Sequence, residues 1–536
     1  LKEVFMKNNI FGYLFIIFII AIMSFAIYKV KKEDNKKQEN IVESNSISDE
    51  EKGTEMVLAI SGFDTINPII TKNRDVQDID KIIYESLFNV TENYKIENCL
   101  ATEFAKTDST TYLIKLRQNV RWSNNSKFNS SDVKYTIDKL KQSNNSVYSS
   151  NVNYVKEVDI VDDYTVRIIL SQEVEFFEYY LSFPILCSSY YGQDDFWNTE
   201  KNRAPVTTGK FKISGVTNST ITLIKNKNWW NKSNEKTNLE KITVNIYSTP
   251  SELYNAFKLG SIDLITTENE KYQDYVGTIG YNTTETEGRE FVFLAMNTYS
   301  NILSDVNVRK AIRSYLNKEE VVSNSYNSFY KSANFPLNTS NYLISLGEEN
   351  FYNLEEANST LSSSEWALRN NIWQKVIDYK LTKLEFNLVV KASDSKRARA
   401  AETIKENLAN QGIIIDIVYA NDSDYQNYLQ NKNYDMILCS INLGISPDLT
   451  TFFGENNLAN YNNEEIKNTI RNLDNIVNED ELKTNYQNIY NAYNQDVPYI
   501  GICRNKVKVL TSSRLVGDIK TNWYNVFYNL KEWYTK

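Results

Sequence analysis

Few residues of this chain can do chemistry, and the first fact about them is a gap: the sequence contains no histidine. Histidine is the commonest metal ligand and the usual general base near neutral pH. Its absence excludes Ser-His-Asp and Cys-His catalysis, His-ligated haem and His-rich zinc or nickel sites. The four cysteines, Cys99, Cys187, Cys439 and Cys503, are far apart and form no CxxC pair. They read as single buried thiols, with a disulfide among them left open. Two carboxylates could hydrolyse a glycoside without histidine, but no such pair can be placed from spacing. What remains is binding by charge and hydrogen bond. The stretch NYDMILCSINLGISPDLTTFF, residues 433–453, is the sharpest candidate. A nearly continuous apolar strand runs into a polar corner with Gly444, Pro447 and one lone acid, Asp448. Loops held by rigid strands are where binding groups tend to sit.

The elements that must hold such a corner can be read from periodicity. MVLAI, residues 56–60, is a buried strand, and TTYLIKLR, residues 110–117, alternates as a half-buried strand does. SSDVKYTIDKL places Val133, Ile137 and Leu140 on one helical face, with Ser130 or Ser131 as N-cap. In STPSELYNAFKLGSIDLI, Thr249 caps, Pro250 takes the first helical position and Glu252 completes a capping box. Gly260 ends that helix. DVNVRKAIRSYL repeats the logic, with Asp305 as cap and Val308, Ala311, Ile312 and Tyr315 as the buried stripe. The run from Ser393 to Ala420 is helix, then Gly412, then strand, an αβ unit feeding a sheet. No period of 20–50 residues repeats, which excludes a solenoid. Intermingled strands and helices make the fold class α/β.

Composition agrees with a large globular chain. Its 536 residues allow about three domains or fewer large ones. Apolar residues make up 41%, enough for sizeable cores. The net charge of −9 gives no support to nucleic-acid binding, which wants a basic face. IFGYLFIIFIIAIMSFAIY, residues 10–28, carries no charge. At ~1.5 Å per helical residue it is just long enough to cross a bilayer core of ~30 Å. A lipoprotein signal needs a cysteine soon after the apolar run, and none occurs before Cys99. A cleaved signal could use Ser24-Phe25-Ala26; an uncleaved anchor fits the long run best. Residues 29–54 are charged and polar and read as a solvated tether. Five lysines follow the span within ten residues (29, 31, 32, 36 and 37), and the positive-inside rule would keep the chain in the cytoplasm.

Six segments in one order resemble the extracytoplasmic solute-binding proteins of peptide- and nickel-type ABC importers. TINPIITKNRDVQDIDKIIYESLF is similar to the opening of that family, with Asn-Pro after the first strand and a Tyr-Glu-x-Leu helix end. LIKLRQNVRWSNNSKFNSSDVKYTI, APVTTGKFKI, ITLIKNKNWW and LAMNTYSNILSDVNVRKAIRSYLNKEEVV follow its pattern, and the corner after YDMI completes it. Departures are Asn125 for the usual glycine, and Thr207 and Lys210 in the Pro-x-GTGPY strand. The resemblance implies a two-lobed periplasmic-binding-protein-like fold (class II, large peptide-binding type), preceded by one transmembrane helix. The expected division is 1–28 anchor, 29–54 tether, 55–288 with 512–536 as the first lobe, and 289–511 as the second. An extra subdomain is expected at about 87–204.

It also implies where a ligand sits. A peptide would be held extended, its backbone pairing with strand edges. The corner positions are Ser440, Ile441, Asn442, Leu443, Gly444 and Ile445. Ile441 stands where tryptophan is usual, and Gly444 where many members carry the aspartate that meets the α-ammonium of a peptide. The corner is kept but its charge is gone. Asp448 either substitutes from a shifted backbone or only caps the helix LTTFF. The segment ITKNRD, residues 70–75, matches the facing wall, where Lys72, Asn73 and Arg74 are candidates and the two cations could meet a carboxylate. Asn297 follows a strand toward the cleft. Trp229 and Trp230 match a structural pair and read as core packing.

The function implied is an extracytoplasmic receptor, not an enzyme, with no cofactor. It would be a monomer delivering a peptide or similar solute to ABC permease subunits with cytoplasmic ATPases. It would be anchored outside a Gram-positive cell membrane, since long domains translocate despite flanking charge. The alternative is a tethered sensory ectodomain that no longer serves transport. The anchor reading has a direct test. The protein should stay in the membrane fraction through a carbonate wash and keep residues 10–28. Release into the medium with a new N-terminus at Ile27 would show a cleaved signal instead.

Overall fold

The structure is a computed structural model that describes residues 52–536 apart from Glu348. The apolar span 10–28 lies outside the described residues, and so does nearly all of the tether. Among the described residues, no helix is long and apolar enough to cross a membrane.

The first sheet has four strands. Glu55–Ser61 pairs in parallel with Lys241–Tyr247, followed antiparallel by Thr220–Lys225 and Phe211–Val216. Met56, Leu58 and Ile60 point into its core, the alternation that strand periodicity demands. A second four-stranded antiparallel sheet, ordered Ala101–Asp108, Thr111–Leu116, Thr165–Leu170, Val155–Asp162, is covered by the helix Ser130–Gln142. Val133, Ile137 and Leu140 are buried as their spacing predicts. The cap is Asn129 rather than Ser130 or Ser131. Asn129 accepts from Ser131 N–H at 2.9 Å, and Asp132 reaches back to the Asn129 N–H at 3.1 Å. Ser130 is drawn away because its hydroxyl donates to the Asp162 carbonyl at 2.7 Å. The helix Pro250–Lys258 starts as expected, with Thr249 accepting from Glu252 N–H at 3.3 Å, though Glu252 itself takes the Ser248 N–H. Asp305 caps Val306–Tyr315, whose four expected stripe residues are all buried.

The third sheet is the largest. Its order is Leu264–Thr267, Tyr499–Ser512, Tyr281–Met296, Met436–Asn442, Glu385–Lys391, Ile414–Ala420, with Tyr330–Ser332 paired beside Tyr499–Ser512. The parallel pair Glu385–Lys391 and Ile414–Ala420 is joined through the helix Ser395–Ala409, the αβ unit expected from sequence. Both faces of this sheet are covered. Phe291, Phe293 and Ala295 enter one apolar cluster, and Val292, Leu294 and Met296 enter another. That explains why the strands here read as continuous apolar runs rather than alternations.

The two longest strands, Tyr281–Met296 and Tyr499–Ser512, pair antiparallel from Tyr281 opposite Ser512 to Ala295 opposite Tyr499. Their register shifts between Glu287 and Phe291. Gly288 opens this irregularity. A Cβ there would lie 2.2 Å from Asn505 Oδ1, and that oxygen accepts the Glu290 N–H at 2.8 Å.

Buried polar groups tie the distant parts of the chain together. Lys106 lies 2.9 Å from Asp474, which also accepts the Phe176 N–H at 2.9 Å. Phe176 adopts φ +53°, a left-handed conformation that costs a non-glycine residue ~1 kcal/mol or more. Its ring and that of Tyr179 pack into the cluster behind Phe293, so packing and the Asp474 bond hold the strain. Asp263 is 1% exposed and accepts from Val57 N–H at 2.7 Å, the Ser512 hydroxyl at 2.9 Å and Arg514 Nε at 3.0 Å. It fastens the first strand to the end of the returning long strand. Asp263→Ala orphans a backbone N–H and a buried hydroxyl, and should cost ~2–4 kcal/mol of stability. Urea unfolding followed by tryptophan fluorescence measures it. A change below ~1 kcal/mol would show that water replaces the carboxylate.

Candidate functional site

The main cavity of the described residues has a volume of about 920 Å³. That is the upper part of the range for small-molecule sites. Residues from many separated segments line it, and four groups of them carry its shape and charge.

The first wall is the helix Arg74–Ile83. Asn73 caps it by accepting from Asp75 N–H at 2.9 Å and Val76 N–H at 3.3 Å, and its amide donates to the Gly62 carbonyl at 2.9 Å. These bonds fix the entry angle of the helix and use both ends of the Asn73 amide. Arg74, the next residue, lines the cavity. Its guanidinium donates to the Trp523 carbonyl at 2.6 Å and lies 3.4 Å from Asp78. Burial pushes the Asp78 carboxyl up to about 6 against the pull of Arg74. Lys72 is exposed and does not line the cavity.

The floor is an acid between two indoles. Glu85 Oε1 accepts from Trp229 Nε1 at 2.8 Å and from Trp230 Nε1 at 2.9 Å. Burial pushes its carboxyl up to about 7, although both indole donors pull it down. Arg117 covers the Trp230 ring, 3.9 Å from the ring centre. The tryptophan pair is therefore packed, as the sequence suggests, yet it also faces the cavity. The pair and Glu85 supply flat apolar surface with one hydrogen-bonded acid, a surface suited to a planar or aliphatic group.

The second wall is the corner. Gly444, Ile445 and Ser446 line the cavity, and Ser440, Ile441, Asn442 and Leu443 do not. Ser440, Ile441 and Asn442 are occupied as a strand edge, opposite Val292, Phe291 and Glu290. Ile441, Leu443 and Ile445 pack on the cluster behind the sheet. Asp448 is turned to a local task. One of its oxygens accepts the Thr450 N–H at 2.8 Å and the Thr450 hydroxyl at 2.6 Å, a local turn; it does not cap the helix Thr450–Phe453, whose N-cap is Leu449 with no side-chain cap bond. Asn297 is 9% exposed and lies off the cavity. Its amide donates to the carbonyls of Lys432 and Tyr434 and accepts from Tyr299 N–H and Asn460 Nδ2, so its capacity is filled. Of the ten candidates, the cavity gathers Arg74 and Gly444.

The fourth group brings residues that sequence reasoning passed over. Trp523 and Tyr524 come from the C-terminal segment, and Arg289 from the irregular part of the long strand. The Arg289 carbonyl accepts the Leu443 N–H at 2.8 Å, so the corner hangs on this residue. Its guanidinium stands over the Trp523 ring, 5.2 Å from the centre. The available signal was the pair Gly288-Arg289 inside a long strand pattern, since an isolated glycine there points to a bulge. Among the described residues, no group of three or more Cys, Asp or Glu could hold a metal ion.

Comparisons with known proteins agree with this geometry. A nickel-binding protein, NikA of Staphylococcus aureus, is 23% identical over 441 residues, covering 80% of this chain and 85% of its own. Among solved structures, the periplasmic murein tripeptide binding protein MppA in its unliganded open form has a TM-score of 0.74 at 16% identity, covering 90% of this chain and 97% of its own. The oligopeptide-binding protein AppA of Bacillus subtilis, in complex with a nonapeptide, has a TM-score of 0.52 at 19% identity, covering 90% and 99%. These likenesses show a two-lobed α/β binding-protein fold. The pattern of the bacterial extracellular solute-binding proteins, family 5, matches residues 95–463, and the chain belongs to that family.

Proposed function

We propose that this protein is the extracytoplasmic receptor of an ABC importer that captures a peptide or peptide-like solute. Family membership makes it a binding receptor and not an enzyme. The finer reading is carried by one observation: a cavity of about 920 Å³ walled by an apolar-backed corner, a tryptophan pair and paired charges. That volume takes several amino-acid residues. Relatives named for a nickel or a peptide ligand leave both classes open. The chemistry here favours the peptide, because the sequence has no histidine and the described acids do not cluster. In this reading the lobes divide at 55–288 with 512–536 and at 289–511, with a subdomain at about 87–204. Each lobe supplies one wall. The apolar span 10–28 holds the receptor at the membrane, where it hands solute to the permease.

The test is mass spectrometry of what co-purifies with the full chain, extracted in mild detergent without added metal. Peptide should be found, and no stoichiometric nickel, zinc or haem. A transition metal at one per chain, with no peptide, would refute the reading.

The corner gives a sharper expectation. No acid faces the cavity from Gly444, so recognition should not depend on a free amino terminus. N-acetylation of a bound peptide should change affinity by less than about tenfold, ~1.4 kcal/mol. A buried aspartate at that place would make the same change cost ~2–5 kcal/mol. Gly444→Asp should introduce the dependence. The only atom near a Cβ there is the Ser446 nitrogen at 3.8 Å, so the side chain fits. Titration calorimetry with paired free and acetylated peptides decides between these outcomes.

A further inference from the structure

Arg289 has no hydrogen bond or ion pair to its guanidinium among the described residues. Most long cations of this chain do. Lys520 is paired with Asp518 at 3.0 Å, and Lys210 with Glu235. Arg289 is exposed to the cavity and only rests on the Trp523 ring. The irregular register around Gly288 is what aims it there. A β-bulge turns a side chain out of the ordinary alternation, and bulges recur beside binding sites. Its own carbonyl holds the corner through the Leu443 N–H.

The charges around it have the wrong sign to satisfy it. Desolvation within the cleft, then the charge of Arg74, depress the Arg289 pKa. Arg74 donates to the carbonyl of the same Trp523 that Arg289 covers. Two guanidinium groups thus meet on one tryptophan. Asp78 lies against Arg74, and although Glu92 and Asp518 also line the cavity, the one charge that acts on Arg289 is that of Arg74. Glu290, next to Arg289 in sequence, takes the Tyr330 hydroxyl at 2.7 Å. Like charges brought together without an anion between them are unfavourable unless an anion arrives.

We infer that Arg289 and Arg74 form an anion subsite beside the Gly444 corner, and that it takes a carboxylate of the solute. The inference rests on the receptor reading above and deepens it. The corner would then have inverted polarity, with a guanidinium pair near the place where the resemblance puts an acid facing an ammonium in many members and this chain has Gly444. The carboxylate could be the C-terminus of a peptide or an acidic side chain. Arg fits either, because its planar fork binds both oxygens at once.

The experiment is titration calorimetry on the full chain in detergent with four probes: tri-alanine, its C-terminal amide, the amide of Ala-Glu-Ala, and glutarate. Tri-alanine should bind at least about tenfold tighter than its amide if the terminus is read. The Ala-Glu-Ala amide should recover the loss if a side chain is read. In Arg289→Gln the preference for the carboxylate should collapse toward one. Arg289→Lys, which keeps the charge, should retain part of it. If Arg289 only props up Trp523, the variants will lower the unfolding temperature and leave the acid-to-amide ratio unchanged, which overturns the inference. Equal binding of acid and amide forms to the unmutated protein, or no binding of any carboxylate probe, also overturns it. Arg289-dependent binding of glutarate with no binding of any peptide would keep the anion subsite and sink the peptide reading.

Discussion

The pairing of Tyr281–Met296 with Tyr499–Ser512 is the constraint on which the remaining structure depends. One end of this ladder is fastened by Asp263 to the first sheet. The other end is the centre of the largest sheet, with apolar clusters on both faces. A ladder that long fixes side-chain direction by strict alternation. It breaks step twice, and the first break, opened at Gly288, is the place where a charged side chain is turned into the cavity. Replacing that glycine would press a methyl group on Asn505 and release the Glu290 N–H from its acceptor. The irregularity is therefore held in place by its own hydrogen bond.

The cavity combines two kinds of surface. Its floor is flat and apolar, with Glu85 buried between indoles and shifted to about 7. Its walls carry paired charges whose partners are mostly internal. Such a site sets flat ring surface beside polar and charged groups, which suits a solute with an apolar body and charged ends. The Lys106, Asp474 and Phe176 cluster stands away from this lining. There an ion pair joins residues 368 positions apart, and the left-handed Phe176 bonds to Asp474, 298 positions on.

Much of the fold was legible in the sequence. Thr249 and Asp305 announced their helices, and the strand from Met436 announced the corner, because capping and burial are local in origin. Asn129 was missed as a cap. Its competitor Ser130 is engaged by Asp162, a partner 32 residues away that no local rule reveals. The site was read less well, for the same reason. Asn297 has the right chemistry for binding, but distant neighbours brought by folding fill its hydrogen bonds, while Asp448 turns one oxygen to Thr450, two residues on. Arg289 lay within a strand whose pattern points alternate residues to the core. Only the register shift frees it, and register is a property of two strands together.

The four cysteines carry a consequence of a different kind. All are free and buried, and burial holds each thiol above its ordinary range. The thiolate is the nucleophile that attacks oxidants and disulfides. In the folded protein burial and the raised pKa together disfavour oxidation of these sulfurs. An unfolded chain has no such protection, because its thiols return to a pKa of about 8.5 and can pair in wrong combinations. Cys99 and Cys187 sit in one apolar cluster, and Cys439 and Cys503 in two others. Each cluster must close before oxidant reaches its sulfur. Export thus becomes a race between core formation and oxidation, and a reducing or guarded passage to the outside favours the fold.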